Sequence, residues 1–399
     1  MAKLQVSKRG QNVIASPIRK FLPLMQAAEA KGTKVFKVNV GDPDLVPPRA
    51  FFDVVKKYNP STLGYAPSPG IKAHTEAWLK YYKQFGVNLA FNNVIPTVGC
   101  AEALLLAMQA VCDPGDEMIV FEPLYASYKS FSVMTGIKVK PVLLPFEKNF
   151  ALPDIKVIEK QISKKTKLIA VINPDNPTGK LWSEKELDVI VKLAKKHNLF
   201  ILSDETYREI RFDGKKALSL LARKDARQHV IVCDSVSKRF SMPGARIGCV
   251  ASFNEGIMTA ILKFAQARLS AGTLEQLGLV PLLNNSAPYV NSVVKEYQKR
   301  QKVVAQGLAK IKGAKFKPSM GAFYQAVQLP VDDSESFVRF MIGKFNYKGK
   351  TVMVTPMKDF YITPGRGKTE IRIAYVLNTK ALAEAMDVLK RGVEAYNKK

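Results

Sequence analysis

An α/β fold with a mostly parallel sheet covered on both faces, joined to a smaller α+β section, is the architecture these 399 residues predict. Strand-like apolar runs alternate with helical patterns through the middle of the chain, the rhythm of a parallel sheet. After about residue 285 that rhythm gives way to a long helix, spaced strands and a last amphipathic helix. Polar clusters that suggest chemistry lie just after the strands, where such sheets bind ligands.

Val94 to Val98 reads as a strand leading into a helical run from Ala101 to Val111, with Leu104, Leu105, Met108 and Val111 at helical spacing. Asp113-Pro114-Gly115-Asp116 turns the chain into a strand from Met118 to Phe121. Further strands are expected at Lys167 to Ile172, Phe200 to Ser203 and Val230 to Cys233. Ser183, with Glu186 three residues later, forms a capping box that opens a helix between two of them. Beyond residue 285 the pattern predicts a helix from Val290 to Lys310 and strands near Ala322 to Gln328, Thr351 to Val354 and Ile371 to Tyr375. A helix from Lys380 to about Tyr396 follows. Residues 49–285 are expected to form a large domain, and residues 1–48 with 286–399 a small one.

The composition, 47% hydrophobic and 24% charged, is that of a globular protein, and no window offers a membrane span. Met1 to Gly10 has lysines but no apolar block behind them, so no secretory signal is expected. Cys100, Cys112, Cys233 and Cys249 lack metal-ligand spacing, and with three histidines no metal site is expected. Reduced thiols in a cytoplasm are the simplest reading. The net charge of +27 comes from lysines spread along the whole chain, without interleaved aromatics or a nucleic-acid-binding signature. Nucleic acid is therefore not expected as a partner.

Residues 234–248 read Asp-Ser-Val-Ser-Lys-Arg-Phe-Ser-Met-Pro-Gly-Ala-Arg-Ile-Gly. A lysine amine condenses with an aldehyde, while an arginine fork and serine hydroxyls grip a phosphate. Ser235, Ser237, Lys238 and Arg246 therefore suit a cofactor with both groups, pyridoxal phosphate. Taken alone, the segment reads equally as a basic, polar loop after a buried strand. Such a cofactor also needs backbone N–H groups at a helix start, which Gly99, Cys100 and Ala101 offer. A carboxylate must hold its ring nitrogen protonated, and Asp204 follows a strand directly, though strand-end aspartates are common. Asn176 and Tyr207 follow neighbouring strands and can donate to its phenolic oxygen. Tyr125 can stack on the ring, or equally face the core from a helix.

Five elements in order resemble the class I/II pyridoxal-phosphate aminotransferases of fold type I, over nearly the full chain. They are Asn173-Pro174-Asp175-Asn176-Pro177-Thr178-Gly179, Asp204-Glu205-Thr206-Tyr207, Ser235-Val236-Ser237-Lys238 with Arg246, Gly321-Ala322-Phe323-Tyr324 and Arg372-Ile373-Ala374-Tyr375. Ser16-Pro17-Ile18-Arg19-Lys20 and Asn39-Val40-Gly41-Asp42-Pro43-Asp44 resemble aspartate aminotransferase-like members. The resemblance implies a seven-stranded sheet flanked by helices, and a transferase of nitrogenous groups in amino acid metabolism. Its substrates would be an L-amino acid and a 2-oxo acid, with 2-oxoglutarate the expected acceptor. It implies Lys238 as the lysine that carries the cofactor and moves the proton, and Asp204 as the partner of the ring nitrogen. Asn176 and Tyr207 would bind the phenolic oxygen, and Tyr125 would stack on the ring. Arg246, Ser235, Ser237, Gly99, Cys100 and Ala101 would form the phosphate site. Arg372 would clamp the substrate α-carboxylate, with Gly41 and Asn176 beside it. Tyr65, in Gly64-Tyr65-Ala66-Pro67-Ser68-Pro69-Gly70, matches a tyrosine that reaches the partner subunit's phosphate site, which implies a homodimer. Gly99-Cys100-Ala101 lacks the second glycine or polar residue of many relatives, so backbone amides rather than a side chain are expected to bind there.

Two other readings share these residues: a lyase or synthase of the same fold, and a non-catalytic regulator that binds the cofactor. The donor side chain is not specified by any of these elements. Arg268, in Gln266-Ala267-Arg268-Leu269-Ser270, is a candidate for a distal substrate carboxylate, against the plainer reading of a structural ion pair.

Overall fold

The computed structural model of the protein describes residues 4–14, 16 and 19–398, so Pro17 and Ile18 of the Ser16–Lys20 stretch lie outside the described residues. In chain order the first strands are β1 (Lys34–Lys37), β2 (Val94–Thr97), β3 (Glu117–Glu122), β4 (Lys138–Leu143) and β5 (Thr166–Ile172). Next come β6 (Phe200–Asp204), β7 (Val230–Ser235) and β8 (Gly248–Ala251). The last are β9 (Tyr324–Gln328), β10 (Lys350–Met353), β11 (Thr355–Pro356) and β12 (Glu370–Ala374). Seven strands form one sheet in the order β2-β8-β7-β6-β5-β3-β4. It is parallel except at β8, which runs antiparallel to both neighbours.

Period-two alternation along these strands divides the sheet between two apolar cores. Ile169 and Val171 of β5, Ile201 of β6 and Val230 and Val232 of β7 face one side. There they pack with Trp78, Tyr81 and Tyr82 of the helix Lys72–Lys83 and Ile190 and Leu193 of the helix Glu184–His197. Leu168, Ala170, Ile172, Leu202, Ile231 and Cys233 face the other. They meet Ala103, Leu104 and Ala107 of the helix Gly99–Val111 and Ile257 and Ile261 of the helix Glu255–Ala267. Burial on both faces explains why the central strands read as continuous apolar runs.

A further core gathers Phe21, Phe36, Tyr297, Phe323, Phe337, Ile371 and Leu389. It lies around the parallel pair β1-β10 and the antiparallel sheet β11-β12-β9. The helices Ala287–Leu308 and Thr379–Tyr396 pack together over it.

Several boundaries differ from the sequence pattern by a residue or two. The first crossover helix begins at Gly99 rather than Ala101, because the Glu102 carboxylate accepts from the Val98 N–H at 2.7 Å and secures an earlier turn. Strand β9 begins at Tyr324, two residues after Ala322, whose φ of 52° is left-handed and outside any strand. The helix Thr273–Asn284 escapes periodicity because Pro281 interrupts its pattern and its two faces are both covered. It packs on the helices Arg49–Lys57 and Lys72–Lys83, close enough that a Cβ on Gly278 would lie 2.7 Å from the Phe51 ring.

Candidate active site

The carboxyl ends of β5, β6 and β7 converge with the start of the helix Gly99–Val111 around a cavity of ≈ 600 Å³. Side-chain parity decides what faces it. Ile172, Asp204 and Ser235 share the face of Ala170, Leu202 and Cys233, so all three turn toward the helix that begins at Gly99, and all line the cavity. Asp234 turns to the opposite side.

At one end, Arg246 is held in a left-handed backbone with φ 48°. It donates from Nη1 to Pro243 O at 2.8 Å and from Nη2 to Val98 O at 3.2 Å. A Cβ on Gly99, whose φ is +73°, would lie 2.6 Å from Arg246 Nη2, so glycine is what lets the guanidinium lie against the helix start. Ser235 Oγ accepts from Ser237 N at 3.1 Å, which leaves its own hydroxyl proton for a ligand. Cys100 and Ala101 line the cavity beside them.

Asp204 is buried at the end of β6 and accepts from Thr206 N at 3.1 Å, with Cys100 Sγ 3.6 Å from the same oxygen. Burial pushes its carboxyl up to about 6. No Lys or Arg lies within ion-pair distance of it among the described residues. A buried carboxylate of this kind gains most from a cationic partner on the ligand.

Opposite, Lys238 Nζ donates to Gly41 O at 2.7 Å. Burial brings its ammonium down to about 8, helped by Arg372 and Arg246 and opposed by Asp42. Gly41 has no room for a side chain, since a Cβ there would overlap the Tyr324 hydroxyl. That hydroxyl shares a 2.8 Å hydrogen bond with Tyr207. Arg372, almost wholly buried, donates to Asn176 Oδ1 at 2.9 Å and to Asn39 O at 2.6 Å, and its guanidinium carbon lies 4.4 Å from the Tyr324 ring centroid. Its Nε has no hydrogen-bond partner, and no carboxylate pairs with it among the described residues.

Behind this wall lies a buried ionic cluster. Arg208 pairs with Glu205 at 2.5 Å and with Asp234 at 3.2 Å; Arg239 pairs with Asp234 and, at 3.4 Å, with Glu209. Tyr81 receives hydrogen bonds from both arginines, and Tyr82 donates to Asp234 at 3.1 Å. Each of Glu205, Arg208, Asp234 and Arg239 directly adjoins a cavity residue: Asp204, Tyr207, Ser235 and Lys238 respectively. The cluster therefore anchors the backbone at four positions of the site.

Gly41, Cys100, Ala101, Tyr125, Asn176, Asp204, Tyr207, Ser235, Ser237, Lys238, Arg246 and Arg372 all line the cavity. Gly99 backs it from behind Arg246. Tyr65 is 83% exposed and does not line it. Arg268 does not line it either: it donates to Pro96 O at 2.6 Å and lies 3.5 Å from Glu102. Periodicity alone singled out none of Tyr324, Thr206 or Lys129, which the cavity also includes. Tyr324 lay within a motif, but only its contact with Gly41 and Tyr207 gives it a place.

The donor set fits pyridoxal phosphate. Its volume lies within the ~300–1,000 Å³ usual for small-molecule sites. A glycine-seated arginine with serines suits the phosphate, an unpaired buried carboxylate suits a protonated ring nitrogen, and a lysine brought toward neutrality suits an aldehyde.

The family model described as aminotransferase class I and II matches residues 33–389. An aspartate aminotransferase of Pyrococcus horikoshii is 30% identical over 373 residues, covering 92% of each chain. An alanine aminotransferase of Pyrococcus furiosus superposes with a TM-score of 0.89 at 27% identity, over 98% of this chain and all of that one. An aspartate aminotransferase from Thermus thermophilus with maleate does so with a TM-score of 0.88 at 25% identity and the same coverage.

Proposed function

The chain belongs to the class I and II aminotransferases and is a pyridoxal-phosphate-dependent enzyme that moves an amino group from an L-amino acid to a 2-oxo acid; from that premise we propose 2-oxoglutarate as its acceptor. The observation that carries the site is the convergence of Lys238, Asp204, Arg246 and Arg372 on one cavity. Pyridoxal phosphate, when bound, would supply the electron sink for the charge developed at the substrate α-carbon. Lys238 would hold the cofactor through its amine and would be the base that moves the proton at that carbon. Burial brings its ammonium down to about 8, closer to neutrality than an exposed lysine. Asp204 would keep the ring nitrogen protonated, Tyr125 would cover the ring, and Tyr207 and Asn176 would donate to the phenolic oxygen. Arg246, Ser235, Ser237 and the backbone at Gly99, Cys100 and Ala101 hold the phosphate. Arg372, whose Nε has no hydrogen-bond partner, would receive the substrate α-carboxylate beside Gly41.

In the same reading residues 49–285 are the cofactor-binding domain, and residues 1–48 with 286–399 the small one. The protein works as a homodimer in the cytoplasm, with Tyr65 completing the partner subunit's phosphate site. Support comes from the exposure of Tyr65 with apolar Val46, Leu63 and Leu269. Among the described residues no helix is long and apolar enough to cross a membrane.

A panel of L-amino acids with 2-oxoglutarate tests the reaction. Glutamate should form in proportion to the donor consumed. Release of ammonia or pyruvate without any 2-oxo acid would identify a lyase instead.

A further inference from the structure

This inference rests on the transamination proposed above and concerns how the substrate's second carboxylate is read. Among the described residues five basic side chains line the cavity: Arg19, Lys129, Lys238, Arg246 and Arg372. The cofactor, its phosphate and the α-carboxylate account for the last three. Arg268 does not line this chain's cavity and lies 3.5 Å from Glu102.

Lys129 lies in the helix Ser127–Thr135. Its Nζ donates to Asp359 O and Tyr361 O, each at 2.6 Å. These carbonyls hold the ammonium in place without neutralising it. The Asp359 carboxylate, which also lines the cavity, lies 2.8 Å from Lys20; it and Glu122 attract the Lys129 ammonium through space, but no carboxylate lies within ion-pair distance of Lys129 among the described residues. An ammonium has three N–H donors, so one remains for a ligand. Phe360 sits between the two carbonyls, and its ring centroid is 5.2 Å from the Arg372 guanidinium carbon. Arg372 and Lys129 thus bracket one residue and stand as two fixed cations in one cavity.

We propose that Lys129 is a specificity-determining residue that binds the second carboxylate of dicarboxylic substrates while Arg372 binds the first. The pair selects 2-oxoglutarate and the acidic amino acids over neutral ones, with Arg19 adding positive field from the same cavity.

The test compares the holoenzyme with Lys129→Met, using aspartate with 2-oxoglutarate against alanine with 2-oxobutyrate. The variant should lose about 10- to 100-fold in kcat/KM on the dicarboxylic pair, mainly through KM, and about threefold or less on the neutral pair. Equal losses on both would overturn the assignment, since they would mean that Lys129 only clamps the segment that seats Arg372. A second measurement needs no variant. Succinate should protect Lys129 of the holoenzyme from acylation, mapped by peptide mass, and butyrate should not; equal protection by both would also overturn it. If the unmodified enzyme forms no glutamate from any donor, the acceptor assignment falls and this inference with it. Glutamate formation with equal losses sinks the Lys129 assignment alone.

Discussion

Arg372, on β12, donates to the side-chain oxygen of Asn176 at 2.9 Å across 196 residues of sequence. An arginine cannot accept a hydrogen bond, so it takes the amide oxygen and turns the amide NH2 away, toward the cavity that Asn176 lines. One contact therefore orients both groups.

Asn176→Asp should place a carboxylate permanently against Arg372. That internal anion competes with the substrate's, so KM for every amino donor should rise about tenfold or more, with a smaller change in kcat. Steady-state kinetics on acidic and neutral donors check this; an unchanged KM would separate Arg372 from substrate binding.

Lys238→Ala should abolish multiple turnover, by more than about a thousandfold, while circular dichroism shows the fold intact. Arg239 beside it cannot substitute, being permanently charged and committed to Asp234. Only the neutral amine attacks an aldehyde, so cofactor uptake by the cofactor-free protein should speed up as pH rises, with a midpoint near the about 8 to which burial brings Lys238. Asp42 opposes that lowering, so Asp42→Asn should move the midpoint to lower pH. Stopped-flow absorbance across pH 6 to 10, a range of roughly two units either side of that value, reads both.

Asp204 carries a pH signature in the cofactor-free protein. Its carboxyl is raised to about 6 by burial, so the folded chain binds this proton more tightly than the unfolded one. Its contribution is most favourable below the ordinary carboxyl range and is lost as pH rises to about 6, by about 3 kcal/mol. Asp204→Asn should therefore stabilise the cofactor-free protein at neutral pH and make little difference at about pH 4, as urea melts would show. The same variant should retain cofactor but turn over slowly, because a neutral amide cannot hold the ring nitrogen protonated. A stability difference independent of pH would refute the electrostatic account.

Arg239→Met leaves Asp234 buried with only part of its compensation, at a cost of about 3–5 kcal/mol. Thermal melts measure it. Because Arg239 adjoins Lys238, the cofactor's absorbance should titrate at a shifted pH even where the variant remains folded; an unshifted titration would confine the cluster to a purely structural role.

Arg268→Leu should reduce kcat/KM equally for acidic and neutral donors, because its partners are Pro96 O and Glu102 rather than substrate. A selective loss on acidic donors, measured in the same kinetic panel, would contradict that placement.

The sequence by itself determined five strands of the large sheet, several of its helices and the polar residues at the strand ends, whereas β4 and β8 were not singled out by it. Each is a local event: β5, β6 and β7 announce themselves by apolar runs, Asn176 and Lys238 follow the ends of β5 and β7 within a few residues, and Asp204 closes β6. A capping box announced the helix Glu184–His197 just as locally. What only the tertiary structure decided were encounters between distant segments, which leave no period in the chain. Arg268 is assigned to Glu102, 166 positions earlier, by the packing of two helices on one sheet face. The pairing of Arg208 and Arg239 around Asp234 needs adjacent strands and the helix Lys72–Lys83 together. Lys129 reads in the chain as one lysine among many, until the fold brings Asp359 O and Tyr361 O to its ammonium. Local sequence sets which backbone conformations are cheap, whereas selectivity depends on which charges share one low-dielectric cavity, and that is settled only when the chain closes on itself.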